Sequence, residues 1–268
     1  MYGYSRGAFT ALALASMVSR VGIVSPGGTE LVSCAWDVYR TWERHGKLND
    51  PACRPGLVAD KFKATFARHA DVYFLGLWDS INTTGLIRNH TFPFTTRPNF
   101  VCHLRHAVSV DERRGRFKQA ELESVAHDVE EMWFPGNHSD LGGGWPVDPD
   151  TGTMLTDLSL QWMVTESVKL GLAITPDAVQ WLARLELWPV IMSRAHNMLS
   201  VRRGRSFLTT VQWWVFELLP NHACKRPNFG RRRVIPENAR LHWSVEMKQS
   251  IDLRYKPVNL PADAVYCY

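Results

Sequence analysis

Apolar positions along this chain come in short runs separated by turn-forming residues. Phe9 to Arg20 (F-T-A-L-A-L-A-S-M-V-S-R) is rich in helix formers and almost uniformly apolar. It predicts a buried helix packed on a sheet, ended by Pro26-Gly27-Gly28. Leu31 to His45 predicts a second helix, with Leu31, Cys34, Val38 and Trp42 on one face. Asn49 to Gly56 reads as loop. Asp71-Val72-Tyr73-Phe74-Leu75-Gly76-Leu77-Trp78 is too short for a typical helix. Its β-branched and aromatic content predicts a strand buried inside a parallel sheet, with Asp79 at its C-terminal end. Leu104 to Val110 is a weaker candidate strand. Val129 to Phe134 is the next, stopped by Pro135-Gly136 and leading into Asn137-His138-Ser139-Asp140-Leu141-Gly142-Gly143-Gly144. Thr156 or Asp157 can cap a helix running to about Leu170, with Gly171 placed to end it.

After about residue 175 the pattern changes. Helical segments carry Trp181, Trp188, Trp213 and Trp214 between basic clusters at Arg202, Arg203 and Arg205, at Lys225 and Arg226, and at Arg231, Arg232 and Arg233. The expected class is therefore α/β: a mostly parallel sheet flanked by helices over residues 1–175, then a helical, aromatic-rich, basic cap over 176–268.

Composition narrows this picture only a little. A chain of 268 residues with 45% hydrophobic content can bury a substantial core. A net charge of +5 without a clustered basic face does not argue for nucleic acid. Cys34, Cys53, Cys102, Cys224 and Cys267 have no metal-ligand spacing, and an odd, sparse set suggests reduced thiols. No apolar run of about 18 residues predicts a membrane span, and no leader pattern precedes the first helix. These signals together give a cytoplasmic expectation. The sequons at Asn82, Asn89 and Asn137 carry weight only in a secreted chain.

The candidate chemistry begins at the first residues. Gly3-Tyr4-Ser5-Arg6-Gly7 is a G-x-S-x-G motif, which places a nucleophilic serine on a tight turn between strand and helix. Small residues are expected at Gly3 and Gly7 because the turn is sharp. A serine hydroxyl needs a base to take its proton, and the base needs an orienting acid. In open α/β sheets ligands bind at the C-terminal ends of the strands, so both partners should follow buried strands. Asp79 and His138 do so, and the order Ser5, Asp79, His138 is that of α/β-hydrolases. Ser5 would attack a carbonyl, His138 would serve as base and then acid, and Asp79 would hold the imidazole. The scheme requires no cofactor.

Simpler readings compete at each position. An Asp after a strand is often a turn former, and a His beside glycines is often a loop residue. His106, in L-R-H-A-V-S-V, is the main rival base and reads as a structural strand residue. His127 reads as a solvated position. Asp79, His138 and Asp140 could instead supply ligands to a divalent cation, though His138-x-Asp140 is weakly specific spacing. The three glycines from Gly142 lack the features of a phosphate loop and read as a turn. Most of the arginine clusters read as solvated faces.

The blocks G-Y-S-R-G-A-F-T-A, F-L-G-L-W-D-S, L-R-H-A-V-S-V-D-E-R-R, W-F-P-G-N-H-S-D-L-G-G-G, P-N-F-G-R-R-R and L-H-W-S-V resemble the type VI secretion phospholipase effector-like catalytic domain, an α/β-hydrolase family also widespread in fungi. They run in order from Ser5 to about Val245. The resemblance implies Ser5 as nucleophile, Asp79 as acid and His138 as base. It also implies carboxyl-ester hydrolysis on an ester or lipid substrate; peripheral contact with an anionic membrane surface is an expectation from the arginine clusters, which could meet anionic head groups. The block from His106 to Arg113 has no role assignable from chemistry. Family members carry earlier strands and a Gly-Thr loop near the oxyanion site, so this chain reads as N-terminally truncated. The backbone N–H of Arg6 remains as one oxyanion donor. Loss of a second donor would cost about two to three orders of magnitude in rate. The alternative is an inactive binding module that keeps the family core.

Overall fold

A parallel strand buried on both faces reads as a continuous apolar run, as Val72–Trp78 does at the centre of this molecule, while the next two strands of its sheet, Val101–Ser109 and Asp128–Phe134, mix apolar with polar residues. The computed structural model describes residues 1–45, 55–81, 100–119, 122, 128–200, 207–219 and 227–268. In chain order the strands are β1 (Tyr2–Tyr4), β2 (Ile23–Val24), β3 (Ala67–Arg68), β4 (Val72–Trp78), β5 (Val101–Ser109), β6 (Asp128–Phe134), β7 (Arg240–His242) and β8 (Val265–Cys267). The helices are α1 (Arg6–Val21), α2 (Leu31–His45), α3 (Pro55–Phe66), α4 (His138–Gly142), α5 (Thr156–Lys169), α6 (Pro176–Arg184), α7 (Leu187–Met192), α8 (Phe207–Leu218) and α9 (Ser244–Ile251). Among the described residues the main sheet has the order β1-β4-β5-β6-β7-β8, and every pairing in it is parallel. The chain is thus of the partial α/β class expected.

Alternation within the strands divides the core between two faces. Leu104 on β5 joins Leu75 and Leu77 beneath Ala8, Leu12 and Ala15 of α1. Ala107 faces the other way, with Met132 and Phe134, against Leu158, Trp162 and Met163 of α5 and Val190 and Ile191 of α7. The alanines of α1 let the helix lie close over the sheet. Val108, Trp133 and Leu241 continue the first face under Val245 of α9.

Several expectations shift in detail. α1 starts three residues earlier than its apolar run, because the turn at Ser5 passes directly into helix. On α2 the buried positions are Ala35 and Tyr39, with Leu31 and Val38 partly packed and Cys34 exposed. Pro55 and Gly56 open α3 rather than ending a loop, and residues 49–54 lie outside the described residues. Leu155, not Thr156 or Asp157, is the cap position of α5 and makes no side-chain cap. Thr156 Oγ1 donates instead to the Asp140 carbonyl at 2.9 Å. Gly171, at φ 94°, ends that helix as expected. The stretch after residue 175 carries α6, α7, α8 and α9, but it also returns β7 and β8 to the sheet. Each of these strands is three residues long, too short for alternation to show. Among the described residues no helix is long and apolar enough to cross a membrane.

Candidate active site

The C-terminal ends of β1, β4, β5 and β6 converge on one point. β1 pairs with β4 through Gly3 and Leu77. The chain then turns at Ser5, whose amide donates to the Trp78 carbonyl at 2.9 Å. Ser5 adopts φ 60° and ψ −123°, the mirror image of an extended conformation and a region that glycine alone occupies freely. Its side chain does not cap α1, so the hydroxyl is left for other partners. Gly3 is required, since a Cβ there would meet the Gly7 carbonyl oxygen at 2.4 Å. The expectation of crowding at Gly7 is corrected: a Cβ there meets nothing within 4 Å.

A continuous chain of hydrogen bonds starts at that hydroxyl. Ser5 Oγ lies 2.8 Å from His138 Nε2, and His138 Nδ1 lies 2.6 Å from Asp79 Oδ2. Exposure falls along the chain. Ser5 is half-buried, His138 is 3% exposed and Asp79 is 0% exposed. His138 is the first residue of α4, whose capping box is formed by Asn137 and Asp140. The imidazole is held between two rings, with Tyr4 at 4.7 Å and Phe117 edge-on at 4.8 Å. Tyr4 also donates its hydroxyl to the His138 carbonyl at 3.1 Å. Burial pushes the Tyr4 phenol up to about 12, which keeps it a neutral donor. Gly142 makes room for this ring, since a Cβ there would meet it at 2.2 Å.

Asp79 is the most heavily bonded group in the site. Ser109, at the end of β5, donates its amide to Oδ1 at 3.0 Å. Arg233 donates Nη1 to Oδ1 at 2.5 Å and Nη2 to Oδ2 at 3.0 Å. Burial alone would raise this carboxyl. The Arg233 cation and the His138 hydrogen bond outweigh burial and hold it well below the usual carboxylate range. Sequence reasoning placed Arg233 in a charge run on a solvated face. The structure buries it.

Residues 1–166 match the family described as "T6SS, Phospholipase effector Tle1-like, catalytic domain". The chain belongs to that family. An uncharacterized protein of Saccharomyces cerevisiae is 27% identical over 452 residues, covering 97% of this chain and 66% of the relative. The chain therefore spans just under two thirds of that relative's length. A crystal structure of an uncharacterized protein from Pseudomonas aeruginosa aligns at 19% identity and a TM-score of 0.41, covering 70% of this chain and 29% of that one.

Within this member of the family, the block from His106 to Arg113 acquires structural contacts. His106 Nε2 accepts from the Ser80 amide at 3.1 Å, so Nδ1 carries the proton and donates to Glu131 at 3.0 Å. It thereby pins the loop that carries Asp79. Arg105 forks onto Asp128 at 3.0 Å and reaches Glu166 at 2.9 Å. Asp111 accepts from the Gly136 amide and the Tyr255 hydroxyl, each at 2.8 Å. Glu112, next to Arg113, pairs with Arg114 at 2.7 Å and accepts the His138 amide at 3.3 Å. The Arg114 guanidinium lies over the Phe117 ring at 3.6 Å and over Trp213 of α8 at 4.6 Å.

Asp140 does not join Asp79 and His138 in a ligand set. Its oxygens accept from the Asn137 amide at 2.9 Å, the His196 amide at 2.8 Å and His196 Nδ1 at 2.6 Å. Among the described residues no cluster of three or more His, Cys, Asp or Glu side chains has a metal-holding arrangement. Asn137 is 1% exposed and caps α4, so it is not available as a glycan acceptor. His127, Asn82, Asn89 and the clusters at 202–205 and 225–226 lie outside the described residues.

Proposed function

We propose that this domain is a serine-dependent carboxyl-ester hydrolase of phospholipase type. Ser5 is the nucleophile, His138 the base and Asp79 its orienting acid. The observation that carries this reading is the unbroken hydrogen-bond chain from a strained, accessible hydroxyl to a buried, ionised carboxylate. As Ser5 Oγ forms a bond to the ester carbonyl carbon, its proton passes to His138 Nε2. The carbonyl π electrons move onto oxygen. The N–H of Arg6, in the first turn of α1, is oriented by the helix to meet that oxyanion. Collapse breaks the ester C–O bond, and His138 returns the proton to the departing alkoxide. Water then repeats the sequence on the acyl-enzyme. Asp79 remains ionised and holds the imidazole in the tautomer that leaves Nε2 free.

In this reading residues 1–175 carry the reacting groups, and the α8-bearing part of 176–268 forms the cap. The helix α8 is inverted relative to an ordinary surface helix. Thr210 and Glu217 are buried, whereas Phe207, Leu208, Val215 and Leu218 are at least half exposed or nearly so. Its Trp213 reaches the site through Phe117 at 5.6 Å. Arg202, Arg203 and Arg205 precede the helix in sequence, and Lys225 and Arg226 follow it. An apolar helix with basic flanks suits an anionic lipid surface that presents the ester to Ser5.

The test is labelling of the purified chain by a fluorophosphonate, with Ser5→Ala as blank. Labelling that requires Ser5, survives in His106→Ala and disappears in His138→Ala is expected. A folded chain that never labels would replace this reading with an inactive binding module. Loss in a folded His106→Ala but not in His138→Ala would move the base.

A further inference from the structure

We infer that Arg233 is a positioning residue for the reacting chain, fixing the Asp79 carboxylate on one side of His138 and the Phe117 ring on another. The inference rests on the reading of Ser5, His138 and Asp79 as reacting groups. Nη1 and Nη2 meet the two carboxylate oxygens fork to fork, at 2.5 and 3.0 Å. The oxygen that takes Nη2, Oδ2, is the one that meets His138 Nδ1 at 2.6 Å. Nη2 makes a second bond, to the Phe117 carbonyl at 2.5 Å, and the ring of that residue packs edge-on against the imidazole. Nη1 also donates to Ser109 Oγ at 3.0 Å, a hydroxyl that itself contacts both Asp79 oxygens. One guanidinium therefore sets the carboxylate rotamer and the packing of the base together.

Burial makes the role specific. The Asp79 side chain is 0% exposed and that of Arg233 is 8% exposed, so water does not substitute for either partner. A carboxylate this deep without a cation would take up a proton. A protonated Asp79 could not stabilise the imidazolium formed during attack. Lysine, a single point charge on a flexible stem, cannot reproduce the fork. The guanidinium shares Oδ2 with His138 Nδ1, so that oxygen is held between the two groups. Tyr4 packs on the imidazole, and Glu112 accepts the His138 amide while pairing with Arg114. Glu131 adds a negative charge near the guanidinium. Of the two cations among these groups, Arg233 is the one bonded to the oxygen that His138 uses.

The experiment compares the rate of fluorophosphonate labelling and the downfield proton resonance of His138 Nδ1–H in the full chain and in Arg233→Lys and Arg233→Met, with near-UV circular dichroism to confirm folding. Arg233→Met is expected to label about 10²-fold more slowly, the scale of a roughly 1 Å misplacement. Its downfield His138 Nδ1–H resonance is expected to be lost, because the oxygen it bonds is no longer held. Arg233→Lys is expected to be slower than wild type and to lose the same resonance, because a point charge cannot hold the fork. A folded Arg233→Met with wild-type rate and resonance would overturn the inference. So would equal losses of rate in both variants with the resonance unchanged, the mark of loosened packing alone. If Arg233→Met does not fold, a wild-type rate in Arg233→Lys overturns it. If the wild-type chain itself fails to label, the reading of Ser5 falls separately. The downfield proton resonance of His138 Nδ1–H then decides: its loss in folded Arg233→Lys supports positioning, and its persistence unchanged overturns it.

Discussion

Replacing Ser5 by glycine should stabilise the protein relative to Ser5→Ala, while both variants lose labelling. At φ 60° and ψ −123° Ser5 occupies a conformation that any side chain resists. Such a residue stores about 1–3 kcal/mol. Glycine relieves that strain but gives back about 0.5–1 kcal/mol through the greater freedom of its unfolded chain. Alanine is the proper comparison, because both variants lose the 2.8 Å bond to His138 and only glycine loses the Cβ. The difference between them should be about 0–2.5 kcal/mol in favour of glycine. At roughly 2–4 °C per kcal/mol for a domain of this size, the glycine variant should melt a few degrees above the alanine variant. Thermal unfolding followed by circular dichroism reads this directly. A glycine variant that melts below the alanine variant would show that the turn holds no strain, and the argument from backbone geometry to an activated serine would fail.

The glycines of the turn separate in the same way. Gly3→Ala drives a Cβ into backbone atoms of Gly7 and Ala8 within 2.7 Å and should cost about 1–3 kcal/mol by urea unfolding. Gly7→Ala enters open space on a helix and should be neutral or stabilising by up to about 1 kcal/mol. Asp111 gives a pH signature. Burial raises it from 3.8 to about 6, against the pull of the Gly136 amide, Tyr255 and Arg232. The folded state thus binds this proton more tightly than the unfolded state, and the contribution to stability falls as pH rises from about 4 to about 6. Asp111→Asn lacks that fall. Its stability relative to wild type should improve by on the order of 2–3 kcal/mol across the window in urea titrations, and a pH-independent difference would refute the assignment.

Much of the site could be read from the chain, for a local reason. Ser5, Asp79 and His138 each follow a strand end, and the strand at 72–78 announces itself by an apolar run, whereas 128–134 (D-V-E-E-M-W-F) is apolar mainly in its last three residues. The three side chains do meet in one hydrogen-bonded line. Arg233 could not be read, because its partner lies 154 residues away and its neighbours Arg231 and Arg232 make it look like part of a solvated run. Burial of a single member of a charge cluster leaves no local trace. The strands β7 and β8 escaped for want of length. The opening of α3 escaped because Pro-Gly reads as a turn, although proline is well suited to a first helical position. Gly7 was misjudged because the motif constrains what approaches the serine, whereas Gly3 alone bears the backbone contact.

The ion pair between Asp79 and Arg233 also sets an order of events during synthesis. At about 5–20 residues per second, the 154 residues between them take roughly 8–30 s to emerge. Ser5, Asp79 and His138 are all out of the ribosome before the guanidinium arrives. A nascent sheet that closed over Asp79 in that interval would bury a carboxylate without its cation, which favours strand ends that stay open to water until Arg233 is made. The carboxylate beside His138 is thus fixed in place only once a residue 154 positions downstream has been made.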